Sequence, residues 1–340
     1  MTILFDVGHP AHVHLFKNLI FHFKKKGYKV IVTSRQKDVT AYLLDHYKIR
    51  HIVLSKAKSG ILGGLYEFLE RTIKIIKLHK KHHFDVAIGT SVSIGYLSLL
   101  FGIKSYIFNE DDDDVVPFFV FLAYPFATKI INPVTLAKSK LFKNKRIFYN
   151  SYQKLAYLHP GNFEPDLKVL TKYRLKPYSY VLLRLSQLKA HHDLQATGLK
   201  DVRDRIETLL RKKYRLVVSE ENQKSEFKPE HIHDIMAYAK MIVTDSQSMS
   251  VEGAVLGVPT IRYNSFGAKI SVLKELEKKY NLTYGFVPGE ESAFIKKIRE
   301  LLNKKNVNII WQQRKANMLE DKENLNRWMV NFFNKQFKKL

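Results

Sequence analysis

The chain reads as an α/β protein of two doubly wound parallel-sheet domains facing a shared cleft. Three observations predict this. Short, β-rich apolar runs alternate with helix-period segments, the pattern of strand–helix–strand units. The runs are apolar on both sides, as parallel strands covered on both faces are. The alternation also resets once near mid-chain, and 340 residues suit two domains of roughly 150 residues each.

The first series of strands is Ile3–Val7, Lys29–Thr33, His51–Leu54, Val86–Gly89, Ser105–Phe108 and Lys129–Asn132. Between the first two, Phe16, Leu19, Ile20 and Phe23 share one helical face, with Gly27 as the stop signal. Turn residues then cluster from His159-Pro160-Gly161 to Pro165 and again at Pro177. A second series follows at Tyr180–Leu185, Arg215–Val218, Met241–Thr244, Pro259–Arg262 and Thr283–Val287. The final stretch is helical, marked by Trp311, Met318, Leu325, Trp328, Met329 and Phe332. The predicted division is 1–165, 166–310, and a C-terminal helical segment, 311–340, that packs back toward the first domain.

Composition narrows the function classes. There are no cysteines, which excludes disulfides, thiolate nucleophiles and zinc–thiolate sites. The most apolar stretch, Val115 to Ala127, holds Pro117 and Pro125 and falls short of the ~20 residues of a membrane span. No basic leader precedes the first strand. The expectation is a cytoplasmic protein without a spanning helix. The formal charge of +25 calls for an anionic partner, although a lysine-rich solvated surface explains it equally well. Zinc-finger, RNP-like and basic-heptad signatures are missing, so no specific nucleic acid is expected. The clusters Lys77–His83, Lys138–Arg146 and Lys335–Lys339 interleave basic and apolar residues, which suits peripheral contact with an anionic membrane surface.

Ligands of open parallel sheets sit beyond the carboxyl ends of the strands, so the loops there are the candidate sites. The first runs Gly8-His9-Pro10-Ala11-His12-Val13-His14. Gly8 gives freedom at the turn, and the helix start that follows suits an anion. His12, at that N-terminus, is expected to be a neutral imidazole, as a general base must be. His9 and His14 are binding candidates; capping and packing of the helix start is the plainer account of all three. The loop lacks the GxGxxG of dinucleotide sites.

The second loop, Asn109 to Asp114, places five carboxylates in a row. Glu110 and Asp111, nearest the strand end, are the catalytic candidates, while Asp112 and Asp113 read as a solvated turn. The third loop runs from Thr244 and Asp245 through Ser246, Gln247, Ser248 and Ser250 to Glu252. Small hydroxyl residues at a helix N-terminus can wrap a diphosphate, and Glu252 can accept from ribose hydroxyls. Capping is compatible with both roles. A fourth candidate is Arg184, with Lys189, His191, His192 and Asp193 beyond it, where cations would meet phosphate; adjacent histidines diverge, so no metal is expected.

The segment Ala239–Ser246 and Glu252–Arg262 resembles the nucleotide-binding region of UDP-N-acetylglucosamine 2-epimerases and GT-B glycosyltransferases. The resemblance implies that Ser246, Ser248 and Ser250 hold a diphosphate and Glu252 a ribose. His12-Val13 is similar to the helix start of the N-acetylglucosaminyltransferase that forms lipid II, with Pro10-Ala11 in place of its glycines. Pro10 to Lys17 and Leu155 to Pro160 resemble an uncharacterised bacterial and archaeal GT-B-like family over nearly the full length. The implied fold is GT-B, two Rossmann-like domains with an interdomain cleft.

The function expected from these likenesses is transfer of a sugar from a nucleotide-diphosphate donor to a polyprenyl-linked or polysaccharide acceptor, without metal or other cofactor. A UDP-sugar 2-epimerase or hydrolase of the same fold is the alternative. Epimerases follow their strand-end glutamate with Ala-Gly-Leu-Arg, where this chain has Asp111 to Asp114 after Glu110. A non-enzymatic anionic-polymer or membrane-binding protein would explain the charge but not the loops.

Overall fold

The computed structural model describes residues 1–58, 60–185, 199–220, 226–265 and 270–338. They form two compact units, Met1–Tyr157 with Glu323–Leu340, and Leu158–Lys322. Each expected strand occurs, with ends shifted by a few residues.

In the first unit the chain runs β1 (Thr2–Val7), α1 (Pro10–Lys25), β2 (Lys29–Gln36), α2 (Thr40–His46), β3 (Ile52–Lys56), α3 (Gly60–His82) and β4 (Val86–Gly89). It continues as α4 (Ser93–Phe101), β5 (Lys104–Phe108), α5 (Pro117–Ala123), β6 (Lys129–Pro133) and β7 (Arg146–Tyr149). The sheet order is β3-β2-β1-β4-β5-β6-β7, and every neighbouring pair is parallel. The chain steps outward from β1 to β3, returns to β4 beside β1, then steps the other way. This reversal between β1 and β4 is a switch point, where an open parallel sheet leaves a crevice at its carboxyl edge.

Successive side chains on a strand point to opposite faces, and the core divides accordingly. Leu4 packs with Leu54, Ile75, Ile94, Leu97 and Val120 under α3, α4 and α5. Phe5, its neighbour, meets Phe16 and Phe23 of α1. Phe108 and Phe333 close the same aromatic layer. Burying side chains of this size contributes roughly 1.5–3 kcal/mol each. α1 starts where Pro10 fits the first helical position. It stops at Gly27, whose φ of +81° lets the Gly27 and Tyr28 N–H groups close onto Lys24 and Phe23 carbonyls. β7 was not expected; its sequence overlaps the basic cluster Lys138–Arg146, which masked the strand.

The short helix α6 (Leu155–Leu158) straddles the division between the units. The second unit then runs α7 (Leu167–Lys172), β8 (Tyr180–Leu185), α8 (Arg203–Arg211), β9 (Arg215–Glu220), α9 (Ile232–Ala237) and β10 (Met241–Thr244). α10 (Gln247–Leu256), β11 (Thr260–Tyr263), α11 (Ser271–Lys278), β12 (Thr283–Phe286), α12 (Glu291–Asn303) and α13 (Val307–Asp321) follow. The parallel sheet has the order β12-β11-β10-β8-β9, so its direction reverses between β8 and β10. Trp311 of α13 is fully buried in this unit and donates to the Leu282 carbonyl at 2.8 Å. The segment expected to return at 311 therefore returns at Glu323. From there α14 (Leu325–Phe337) packs on α1, burying Met329 and Phe333.

Candidate active site

The switch point of the first unit is held by a buried carboxylate. Asp6, near the end of β1, is fully buried. It accepts from Thr33 of β2 at 2.7 Å, from the Arg71 guanidinium of α3 at 2.6 Å, and from the Ser91 hydroxyl after β4. One side chain thus fixes four elements, and its charge is matched by Arg71 within the protein. Gly89 sits opposite Asp6 in the ladder; a Cβ there would lie 2.6 Å from the Asp6 carbonyl oxygen, so β4 can approach β1 only with glycine.

On this base stands the loop after β1. His9 caps α1, its Nδ1 accepting from the Ala11 N–H at 3.2 Å. In the neutral ring Nε2 then carries the proton. His12 lies in the first turn of α1 with Nδ1 2.6 Å from the Thr90 hydroxyl after β4. The two rings are 5.7 Å apart. Burial, then the Lys154 and Lys37 charges, push the half-buried His12 down to about 3. Burial, then His12, hold His9 well below its ordinary value. Burial and the nearby cations thus keep the His12 ring neutral. His14 is carried elsewhere: it is buried, stacked on Tyr157 at 5.1 Å and edge-on to Tyr47. Gly8 departs from its expected role, because it is not among the residues with positive φ, and an added Cβ would meet only His12 Nδ1, at 3.9 Å.

β5 adjoins β4, so the acidic loop shares this carboxyl edge. Asn109 shapes it, donating to the Asp111 carbonyl and accepting from the Asp111 N–H. Glu110 is pinned: it accepts from the Gln153 N–H at 2.7 Å and the Lys154 ammonium at 3.1 Å. Asp111 is pushed up to about 6, by burial first and by Glu110 next. Asp113 corrects the expectation of a solvated turn: it pairs with Arg146 at 2.5 Å and accepts from Ser139. Lys154, which no motif marks, is nearly buried beside Glu110 and acts electrostatically on His9, His12 and Asp111 alike. Asp6 was legible only as a polar interruption of an apolar strand.

In the second unit, β8 and β10 end side by side at the reversal, with Arg184 in register with Thr244. The Arg184 guanidinium donates to Ser219 at 2.5 Å. Ser246 caps α10, accepting from the Met249 N–H at 3.4 Å. The turn beneath is braced by Arg262, which donates to Asn264, which in turn donates to the Asp245 carbonyl. Ser246, Gln247 and Ser248 are half-buried and reach solvent. Asp245 and Ser250 are buried, and the Ser250 hydroxyl is 2.9 Å from Thr283, so the structure separates Ser250 from the open turn. Glu252 is buried 3.3 Å from His233 Nε2 of α9, a partner with no sequence signal. His191, with Lys189, His192 and Asp193, lies outside the described residues.

A family described as a protein of unknown function, DUF354, matches residues 1–331. The chain belongs to that family. An uncharacterized protein of Methanocaldococcus jannaschii, MJ0665, is 22% identical over 280 residues, spanning 77% of this chain and 81% of that one. Among solved structures, S. aureus MnaA with UDP is similar over all of this chain and 97% of the other, at 10% identity and a TM-score of 0.74. The UDP-GlcNAc 2-epimerase of M. jannaschii, solved with UDP-GlcNAc and UDP, covers 90% and 94% at 14% identity and a TM-score of 0.69. The spinosyn forosaminyltransferase SpnP covers 99% of each chain at 12% identity and a TM-score of 0.65. At these identities the likeness is one of fold: this DUF354 chain has the GT-B fold, with two Rossmann-like parallel-sheet units.

Proposed function

We propose that the chain is a glycosyltransferase that moves a sugar from a nucleotide-diphosphate donor to a polyprenyl-linked or polysaccharide acceptor at the inner face of the plasma membrane. The observation that carries the reading is Asp111, a carboxyl held at about 6 on a switch-point edge. A general base works best with a pKa near the working pH, and Asp111 meets that condition where His12, at about 3, does not.

In this reading Asp111 takes the proton of the acceptor hydroxyl as its oxygen bonds to the sugar's anomeric carbon. The bond from that carbon to the diphosphate breaks, and the nucleoside diphosphate leaves. Glu110 and Lys154 position Asp111. His9 and His12, as neutral rings, hydrogen-bond sugar hydroxyls. On the second unit Arg184, the first turn of α10 with Ser246, Gln247 and Ser248, and the backbone at Asp245 stabilise the leaving diphosphate, as oriented donors and cations do without a metal. Glu252 accepts from the ribose, with His233 holding its carboxylate.

The test is nucleoside diphosphate release from a panel of sugar nucleotides, with and without a polyprenyl-phosphate sugar acceptor. Acceptor-dependent release, at least a hundred-fold slower in Asp111→Asn, supports transfer. The second reading, a UDP-sugar 2-epimerase, is favoured by the description of several proteins of similar fold. It predicts a changed sugar nucleotide with no acceptor present, and that result would overturn the transferase.

A further inference from the structure

The outer face of α3, α4 and α5 is apolar where a soluble monomer's surface is not. On α3, Leu62, Leu65, Leu69 and Ile73 are all at least half exposed, Leu62 at 82%. Their spacing of three and four residues puts them along one side of the helix. The same side continues as Lys77, Lys80 and Lys81, all exposed. α4 and α5 contain no charged residue; Leu99 and Leu100 are exposed on one, and Phe118 and Phe121, at 69% and 62%, on the other. α3 meets α4 and α4 meets α5, so the exposed groups belong to one layer of the unit.

Charge selects what covers this layer. The acids of α3 are already engaged, Glu67 by Arg35 and Glu70 by Lys74. The lysines at the end of α3 are joined by exposed Lys104, which follows α4, and by exposed Lys143, next to Phe142, whose ring packs on Tyr124 at the end of α5. Among the described residues that flank these helices in sequence, the exposed acids are Asp85, which accepts from the Thr2 N–H, and Asp114. A second copy would set one cationic border against another in a chain of charge +25. An anionic lipid surface complements both the lysines and the apolar stripe.

We infer that α3, α4 and α5 form a monotopic membrane-binding face, with leucine and phenylalanine side chains in the headgroup–acyl boundary and lysines on anionic headgroups. It rests on the proposed function only in naming what the bilayer delivers, a polyprenyl-linked acceptor. α5 is the helix into which the Glu110–Asp114 loop leads, and Phe118 lies seven positions beyond Asp111. The face therefore brings the acidic loop toward the lipid surface.

The test is flotation of the full chain with vesicles of phosphatidylglycerol and phosphatidylcholine, against phosphatidylcholine alone. The chain should float with the anionic vesicles and much less with the neutral ones. Lys77→Gln/Lys80→Gln/Lys81→Gln should weaken binding about a hundred-fold, from ~1 kcal/mol per basic residue. Leu65→Glu/Phe118→Glu should abolish flotation while leaving the melting temperature within a few degrees, since both side chains already face solvent. Wild-type chain that stays with the unbound fraction overturns the inference. So does a dimer, seen by light scattering, that Leu65→Glu/Phe118→Glu dissociates. Sugar-nucleotide thermal shifts on the same samples keep the readings apart: flotation without any such shift counts against the transferase alone.

Discussion

The Lys154 ammonium stands 3.1 Å from the Glu110 carboxylate, and both side chains are nearly buried. The same cation acts on His9, His12 and Asp111. Lys154→Met should therefore move two groups together. His12 should titrate higher, since a cation that disfavours its protonation is gone. Asp111 should rise further above about 6, because Lys154 is the charge that opposes its upward shift. Leaving Glu110 without its cation should cost about 3 kcal/mol. Imidazole NMR titration and a denaturant melt check the two effects, and an unmoved His12 would contradict the electrostatic reading.

Asp111→Asn should lower transfer by about a hundred- to ten-thousand-fold, the range for losing a general base. In the wild type, kcat/KM should rise with pH through about 6 and level off above it. Stability should respond in the opposite sense. A carboxyl raised from 3.8 to about 6 on folding disfavours the folded state once it ionises, so the penalty is full above about 6 and absent below 3.8. Asp111→Asn should thus be stabilising at pH 7, by up to about 3 kcal/mol, with the gain vanishing toward pH 4. A variant less stable than wild type at pH 7 would refute this.

His12 carries the reverse sign. Its pKa is about 3 in the folded chain against an ordinary 6.5, so the unfolded chain binds the extra proton between those values. Stability should fall as pH drops from about 6.5 toward 3, with His9 adding in the same direction. His9→Gln/His12→Gln should flatten that slope by on the order of 2 kcal/mol after allowance for solvent screening. Melts across pH 4 to 7 measure it.

In the second unit, cap and ligand roles separate by readout. Ser246→Ala removes the acceptor for the Met249 N–H and should cost about 1 kcal/mol of stability, with weaker UDP binding. Glu252→Gln should keep the fold, because the amide oxygen can still face His233, and should weaken UDP binding about ten-fold. Calorimetric titration with UDP checks both. Unchanged affinity in Glu252→Gln would remove the ribose assignment.

Fold and site were legible to different depths. Strands announced themselves because parallel strands are apolar on both faces, and Phe16, Leu19, Ile20 and Phe23 marked α1 by period alone. β7 escaped because Arg146 and its lysine neighbours read as surface, whereas Arg146 is buried against Asp113. The loops at strand ends are marked by their position, but the role of each side chain depends on distant partners. Asp113 and Arg146, Glu110 and Lys154, and Glu252 and His233 are far apart in sequence. Periodicity reports local geometry; it is silent on which charges meet across a sheet edge. Ser250 shows the limit: its neighbour Ser248 reaches solvent while its own hydroxyl is buried on Thr283.

The return of the chain at Glu323 has a consequence for synthesis. The first unit is completed by α14, on the far side of the second unit in sequence. As the polypeptide leaves the ribosome, the seven-stranded sheet can assemble, but the face of α1 that receives Phe333 stays uncovered until the whole second unit has emerged. Ribosome-bound chains halted before Leu325 should therefore be protease-sensitive around α1 and recruit holdase chaperones there. Extending them past Phe337 should close that window.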